Sequence, residues 1–359
     1  MWNKKATFFV VAALVVVASL TSVYCWWNTD VGGPDAFCGG TVGAGDVQAA
    51  LDGPGRVSEV ASQSVPGHPE LSCTVERTSR FTGSPDTRMT VKTGTAQGAF
   101  PFTTAVWKDP AARSYFSDGA VSGSSGYVVL PQACWEEVGN LQGRRVVDPG
   151  QETVATVEVT VKGGSADREG LARLLARTAR RVAEAAGCSH GGDGEPGALS
   201  TPAAPRSTNP QEVCGIQGFS LPKASLLDRV AEPGQEQLTE TSRVWACDMD
   251  LAGTGDARLS FAATTDATII SAALREPDTF KNLPDGKGVY GSTQAVLHCG
   301  KGDVYFAARW NNEYDGVLLD HTRNTTPSYA DIRRATFQAF LNTATSSHSC
   351  PAVTLPDGR

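Results

Sequence analysis

The chain has 359 residues and carries 38 acidic against 31 basic side chains, a net charge of −7, so it lacks the cationic surface that nucleic-acid phosphates demand. Its length exceeds one small domain and suits two. Of nine cysteines, the eight that lie beyond the apolar N-terminal run and its end at Cys25 point to an oxidising compartment.

Residues 1–5 hold Lys4 and Lys5, and from Ala6 to Val23 no charge appears. At about 1.5 Å rise per residue this run, extended by Tyr24-Cys25-Trp26-Trp27, spans a hydrocarbon core of roughly 30 Å. Residues 6–27 are therefore expected to form a transmembrane signal anchor in the cytoplasmic membrane. The lysines keep the N-terminus cytoplasmic, Trp26 and Trp27 lie at the outer interface, and the C-terminal bulk is extracellular. Two other readings stay open. One is a cleaved signal peptide with a cut near Val17-Ala18-Ser19. The other is a lipoprotein beginning at Cys25, although bulky Tyr24 stands where a lipobox wants a small residue.

Setting Cys25 aside leaves eight cysteines in two sets of four: Cys38, Cys73, Cys134 and Cys188, then Cys214, Cys247, Cys299 and Cys350. Their intervals run 35, 61 and 54 in the first set and 33, 52 and 51 in the second. Neighbouring sequence also matches. "CGGTVGAGDVQAAL" parallels "CGIQGFSLPKASLL", "LSCTVER" with "TRMTVKTG" parallels "WACDMDL" with "ARLSFAAT", and "ETVATVEVTVKG" answers "DVYFAARW". A period this long indicates a duplicated domain, since solenoid repeats are far shorter. The expected organisation is a first α+β module over 28–188, a Gly/Pro/Ser/Thr-rich linker over 189–213 and a second module over 214–359.

Within each module, "GDVQAALD" and "KASLLDRVAE" read as short helices. "LSCTVER", "RMTVKTG" and "ATVEVTVKG" read as strands, being alternating or rich in Val and Thr. Phe81–Gly126 reads as a long loop with one extra hairpin. A helix starting near Ser165 or Asp167 sets Leu171, Leu174, Leu175, Thr178 and Val182 on one face. Its counterpart opens on Ser328 with Asp331 three residues later, a capping-box pattern, and buries Ile332, Phe337, Phe340 and Leu341. The fold class is α+β: an N-terminal transmembrane helix, then two similar modules, each an antiparallel sheet packed by helices.

Four cysteines allow three pairings per module. First-to-second with third-to-fourth is preferred: Cys38–Cys73, Cys134–Cys188, Cys214–Cys247 and Cys299–Cys350. First-to-fourth with second-to-third is the main competitor. A cysteine, short helix and strand with a second cysteine ("CGGTVGAGDVQAAL … LSCTVER") resembles uncharacterised membrane-anchored cell-envelope proteins of actinobacteria with disulfide-bonded PsbP-like modules. The resemblance implies an antiparallel sheet backed by helices. It carries no site residues across. Those families usually have a lipobox and often an aromatic two residues after the second cysteine, where Val75 and Met249 stand here.

Catalytic motifs are scarce. "DGAVSGSSGY" lacks G-x-S-x-G spacing, and "GGTVGAGD" lacks the lysine of a phosphate loop. No cysteine pair has C-x-x-C spacing; His190, His298 and His348 near cysteines keep a metal site only as an alternative, so no metal or cofactor is expected. Paired carboxylates occur at Glu136 with Glu137, Asp248 with Asp250, and Glu313 with Asp315. In "RWNNEYDG", Trp310 and Tyr314 flank Glu313 and Asp315, the mix of aromatic planes and acids that suits a glycan or small ligand; the alternative is a loop joining strand to helix. The arginines 173, 177, 180 and 181 form either an anion-binding stripe or the wet face of a helix.

Two functions fit. One is a non-catalytic envelope protein that binds an envelope protein, wall polymer or small ligand, or serves assembly. The other is a secreted hydrolase of wall polymer or glycan with a site between the modules. A pocket gathering His68, His298 or His321 with buried carboxylates would favour the second.

Overall fold

The computed structural model describes residues 4–356 apart from 52, 64–68, 81–84, 97–108, 118, 139–153, 189–193, 230–232, 252–256, 276–279 and 324–326. His68, His190 and the Asn324-Thr325-Thr326 sequon lie outside the described residues. The fold is mixed α+β, with antiparallel sheets and one N-terminal apolar helix. By compactness the chain divides into a unit of residues 1–94, 121–145 and 156–196 and a unit of residues 95–120, 146–155 and 197–359.

Helix α1 (Lys4–Asn28) carries no charge beyond Lys5 and is exposed from Phe8 to Trp26. The hydroxyls of Ser19, Thr21 and Ser22 bond back to the carbonyls four residues earlier, which satisfies them inside the helix. Its C-terminus is built into the first unit. Buried Asn28 accepts at Oδ1 from the Arg80 amide (2.9 Å) and Ser79 hydroxyl (3.0 Å), while its carbonyl accepts from Gly55 N–H (3.0 Å). Arg56 lies 4.3 Å over the Trp26 ring and Arg80 4.8 Å over Trp27.

In the first half, a two-strand bridge of β1 (Ala36–Phe37) and β2 (Val42–Gly43) leads into α2 (Ala44–Ala50). The strands that follow are β3 (Arg56–Ser62), β4 (Ser72–Thr78), β5 (Thr87–Ala96), β6 (Ser114–Phe116), β7 (Gly119–Val121), β8 (Ser125–Val129) and β9 (Val154–Lys162), before α3 (Arg168–Ala185). The sheet order is β3-β4-β5-β9-β8-β7-β6.

The second half contributes β10 (Arg206–Ser207), β11 (Pro233–Glu240), β12 (Val244–Leu251), β13 (Arg258–Thr264), α4 (Ala267–Leu274), β14 (Lys281–Asn282), β15 (Gly288–Tyr290), β16 (Gln294–Cys299), β17 (Gly302–Trp310), α5 (Asn312–Thr322) and α6 (Tyr329–Ser347). Its order is β10-β11-β12-β13-β17-β16-β15-β14. Apart from the two-residue β10, this is the first sheet's order strand for strand.

The cysteines join as Cys38–Cys73, Cys134–Cys188, Cys214–Cys247 and Cys299–Cys350, with Cα separations of 5.6, 5.3, 5.8 and 4.2 Å. Cys25 is free and exposed. Local detail around the staples repeats. Cys38 and Cys214 both adopt left-handed backbone (φ 58° and 59°), and each is followed by a left-handed glycine. A carboxylate from the neighbouring edge-side strand accepts each cysteine's N–H: Glu59 on β3 at 2.6 Å, Glu236 on β11 at 2.7 Å. Glu59 pairs in register with Val75 and Glu236 with Met249, each two residues past the second cysteine. Cross-strand Arg88–Glu76 (2.6 Å) recurs as Arg258–Asp250 (2.7 Å).

Both long helices end alike. Gly187 and Ser349 take positive φ, and the Cys188 and Cys350 amides reach back to Ala183 and Thr345, in the manner of a Schellman cap. The expected core faces are buried: Leu171, Leu174, Leu175, Thr178 and Val182 on α3; Ile332, Phe337, Phe340 and Leu341 on α6. The Ser328–Asp331 capping box is present.

Phe81–Gly126, expected as loop plus hairpin, holds among its described residues the long strand β5, a 3-10 turn at Pro110–Ala112, strand β6 and the tight turn from β7 into β8. The turn is fixed within the second unit by Asp248 on β12. That carboxylate accepts from Ala111 N–H (2.8 Å) and the Ser260 hydroxyl (2.6 Å), and Thr239 donates to the Ala111 carbonyl (2.7 Å). Burial pushes the Asp248 carboxyl up to about 6, with the Asp109 charge adding to it and the two hydrogen bonds and Arg258 opposing.

Because this folded-state value exceeds the unfolded one, the folded protein holds more protons between about pH 4 and 6, and stability falls as pH rises through that window. Above it the cost is on the order of 2–3 kcal/mol. Asp248→Asn keeps an acceptor for Ala111 and gains a donor for Ser260. Urea midpoints of the oxidised protein should favour the variant over the parent by about 2 kcal/mol more at pH 7 than at pH 4.5. Parallel pH profiles would contradict the burial of an ionised Asp248.

Candidate functional site

β17 ends on Trp310, and the chain turns directly into α5 because the Asn311 side chain caps it. Its Oδ1 accepts from Tyr314 N–H (3.0 Å) and Arg258 N–H (2.9 Å), joining the helix start to the edge of β13. The segment is thus strand, cap and helix rather than loop.

The cap decides the fate of the four residues that the sequence marks out. Trp310 and Tyr314 turn inward and are buried. The Tyr314 hydroxyl donates to the Ser225 carbonyl at 2.7 Å, and burial drives its proton affinity well above the usual tyrosine value. Glu313 points outward, exposed, in the first turn. Asp315 is half-buried; burial raises its carboxyl, while the Tyr329 hydroxyl, Arg333 and Arg309 pull it back. These four do not make one open aromatic platform. The two rings belong to the core of the second unit, and Asp315 faces α6.

What they do is back a pocket. Arg333 of α6 lies 4.7 Å over the Trp310 ring and 5.2 Å over Tyr329, and its Nη1 donates to the Tyr329 hydroxyl at 2.7 Å. Tyr329 in turn bonds Asp315. Trp310, Arg333, Tyr329 and Asp315 therefore form a connected chain that fixes the guanidinium. In front of it opens a pocket of about 290 Å³, near the small end of the range for ligand sites. Arg333, Arg334 and Lys281 bring positive charge to it; Tyr290, Tyr329 and Leu355 bring apolar wall; Ser292 and Thr293 form one rim. Arg334 is steadied by donating to the Leu355 carbonyl at 2.6 Å.

The sequence reading of α6 followed its apolar face and passed over Arg333 and Arg334. The signal lay in the cysteine register. Counting back from the closing cysteine of each helix, Arg333 and Arg334 stand where the first helix has Leu171 and Ala172, both fully buried.

The other candidates are structural. Glu136 and Glu137 are exposed. Asp248 and Asp250 bind Ser260 and Arg258. Within "DGAVSGSSGY", Gly119–Tyr127 lie in the β7–β8 hairpin, with Ser122 bonding across its turn. His298 pairs with Asp303 (2.8 Å) at the exposed β16–β17 turn, and His321 is exposed in the last turn of α5. His348 packs edge-on against Phe306, with burial lowering its pKa.

Cys38, Glu59 and Cys73 lie within ligand distance of one another, as do Cys214, Glu236 and Cys247. Their sulfurs are disulfide-bonded and so are not thiolate ligands, and the carboxylates hold cysteine N–H groups. On α3, Arg177 pairs with Asp46 (2.7 Å) and Glu195 (2.6 Å), Arg180 with Glu184 (2.8 Å), and Arg181 donates to the Thr41 carbonyl, so the arginine stripe is largely neutralised.

No family model, no curated protein and no solved structure matches the chain.

Tyr314→Phe removes a buried donor and leaves the Ser225 carbonyl unpaired. The oxidised protein should lose about 1–3 kcal/mol in urea unfolding. An unchanged midpoint would show that the ring is not the core element described here.

Proposed function

We propose that the chain is a membrane-anchored extracytoplasmic binding protein, not an enzyme. In this reading α1 spans the cytoplasmic membrane, two copies of one disulfide-stapled module lie outside it, and the second copy carries the binding site. The observation that carries the binding role is the pocket beside α6: three cationic side chains and two tyrosine rings converge there, with the guanidinium of Arg333 held in place from behind. Among the described residues, no serine, cysteine or histidine nucleophile with a base beside it lines the pocket.

Duplication is supported by the matched strand orders and by the repeated staple of left-handed cysteine, carboxylate acceptor and second cysteine. An oxidising compartment is supported by the four disulfides. Membrane anchorage is supported by the length and uniform apolarity of α1, with tryptophans at its outer end. The natural partner in this reading is a small ligand, an envelope protein or a wall polymer.

The test uses the full chain in bacterial membranes. Alkaline carbonate should leave it membrane-bound. Protease added to spheroplasts should digest it beyond residue 28, and non-reducing mass spectrometry should find the four bridges. Release by carbonate, protection from external protease or eight free thiols each rejects the placement.

A further inference from the structure

The first and second units close the same seam differently. In the first, the two-residue tip of the β7–β8 hairpin, Gly123-Ser124, is bonded to the segment entering α3: Ala166 N–H donates to the Gly123 carbonyl at 2.7 Å. The hairpin is closed by Ser122 N–H to Ser125 O at 2.7 Å, and Ser124 O accepts from Val161 on β9. In the second, the β15–β16 hairpin has the same form. Gly291 N–H bonds Gln294 O at 2.8 Å, the tip is Ser292-Thr293, and Thr293 O accepts from Ala308 on β17.

The helix entry, however, is occupied elsewhere. Ser328, which stands in the cysteine register where Ala166 stands, gives its N–H to its own capping partner Asp331 at 3.0 Å. The tip and the helix part, and the 290 Å³ pocket fills the gap. Two positions that are sealed apolar core in α3, Leu171 and Ala172, have become Arg333 and Arg334 on the pocket wall.

A gap in a seam is ordinarily filled by larger apolar side chains, because a void forfeits dispersion contacts. Here the gap stays open, and three cationic side chains share its lining with Tyr290, Tyr329 and Leu355. Burying part of a guanidinium costs desolvation, which an anion in the pocket offsets. Carboxylates near by are Asp315, raised by burial but pulled back by the Tyr329 hydroxyl, Arg333 and Arg309, and Asp331, exposed, turned to the Ser328 cap and drawn down by it and in part by the Arg334 charge. Against them stand Arg333, Arg334 and, at the rim, exposed Lys281. The faces of Tyr290 and Tyr329 with Leu355 favour an apolar body beside the charge.

We infer that this pocket, opened between the β15–β16 hairpin tip and the first turns of α6, binds a small organic anion: a carboxylate or phosphate monoester on a compact apolar body, with Arg333 as its principal anion contact. The inference deepens the binding role proposed above and rests on it. The same chemistry is offered by a soluble ester and by an anionic lipid headgroup; the volume favours the soluble molecule, and the test separates the two.

Full-length protein is placed in phosphatidylcholine nanodiscs and titrated calorimetrically with phenyl phosphate, phenylacetate, inorganic phosphate and benzyl alcohol. At least one aromatic anion should bind one to one, at least tenfold more tightly than inorganic phosphate or benzyl alcohol. Arg333→Gln should weaken it tenfold or more. Lys281→Gln, on the exposed rim where folding is not at stake, should weaken it several-fold and flatten its salt dependence. Adding 30% phosphatidylglycerol to the nanodisc should leave the affinity unchanged; competition by that lipid would overturn the soluble-ligand assignment.

Absence of binding by both aromatic anions at millimolar concentration overturns the inference. So does affinity equal to that of benzyl alcohol, or unchanged binding in both variants. These outcomes are independent of the carbonate, protease and thiol measurements, so a failed pocket leaves the architecture standing and a failed architecture leaves the pocket readable.

Discussion

Each half of the molecule is organised around a cysteine held in a backbone conformation that L-residues avoid. Left-handed backbone at a non-glycine position costs on the order of 1 kcal/mol, yet Cys38 and Cys214 both adopt it. Two restraints keep each there: the disulfide to β4 in the first half or β12 in the second, and a carboxylate from the adjoining strand that accepts the cysteine's own N–H. The turn so fixed aims the entering chain across the sheet, α2 in the first half and a 3-10 segment in the second. A second disulfide then ties the C-terminus of the closing helix to the strand region after the hairpin. Glu236 is almost fully buried and paired with Arg206, which makes the second staple the more enclosed of the two.

Much of this frame was legible because cysteine spacing and strand composition are local signals. The cysteine spacing favoured the four pairings found, the Val/Thr-rich runs marked the inner strands, and Ser328 with Asp331 marked the start of α6. The carboxylates of the staple were not legible. Glu59 sits 21 residues from the cysteine it serves and Glu236 sits 22, and nothing in a single sequence distinguishes them from surface acids. The role of Asp248 was hidden for the same reason, since its partner Ala111 is 137 residues away.

The site was half legible. The stretch from Trp310 to Asp315 reads as aromatic planes beside acids, whereas the fold buries both rings and leaves Glu313 exposed. Asn311 reads as one more polar loop residue, whereas its side chain starts α5 and rotates Trp310 and Tyr314 into the core. Most of the groups that line the pocket come from α6 and the β15–β16 hairpin, brought together by tertiary packing alone. What remained visible in sequence was the contrast between two helices in cysteine register, apolar at Leu171 and Ala172 and basic at Arg333 and Arg334.

That contrast carries the functional argument. If the two halves descend from one module, as proposed, the closed seam at Gly123 and Ala166 and the open one at Ser292 and Tyr329 are two states of the same joint. In the first, a single backbone hydrogen bond and a buried leucine make it part of the scaffold. In the second, α5 is inserted ahead of the closing helix, the helix entry caps itself, and the vacated volume is lined by Arg333, Arg334 and Lys281 beside the apolar Tyr290, Tyr329 and Leu355. Relaxation toward better packing would have closed such a space with apolar side chains. Two arginines, braced by an indole ring and a backbone carbonyl at the cost of their own hydration, are a stable solution when something of opposite charge completes them.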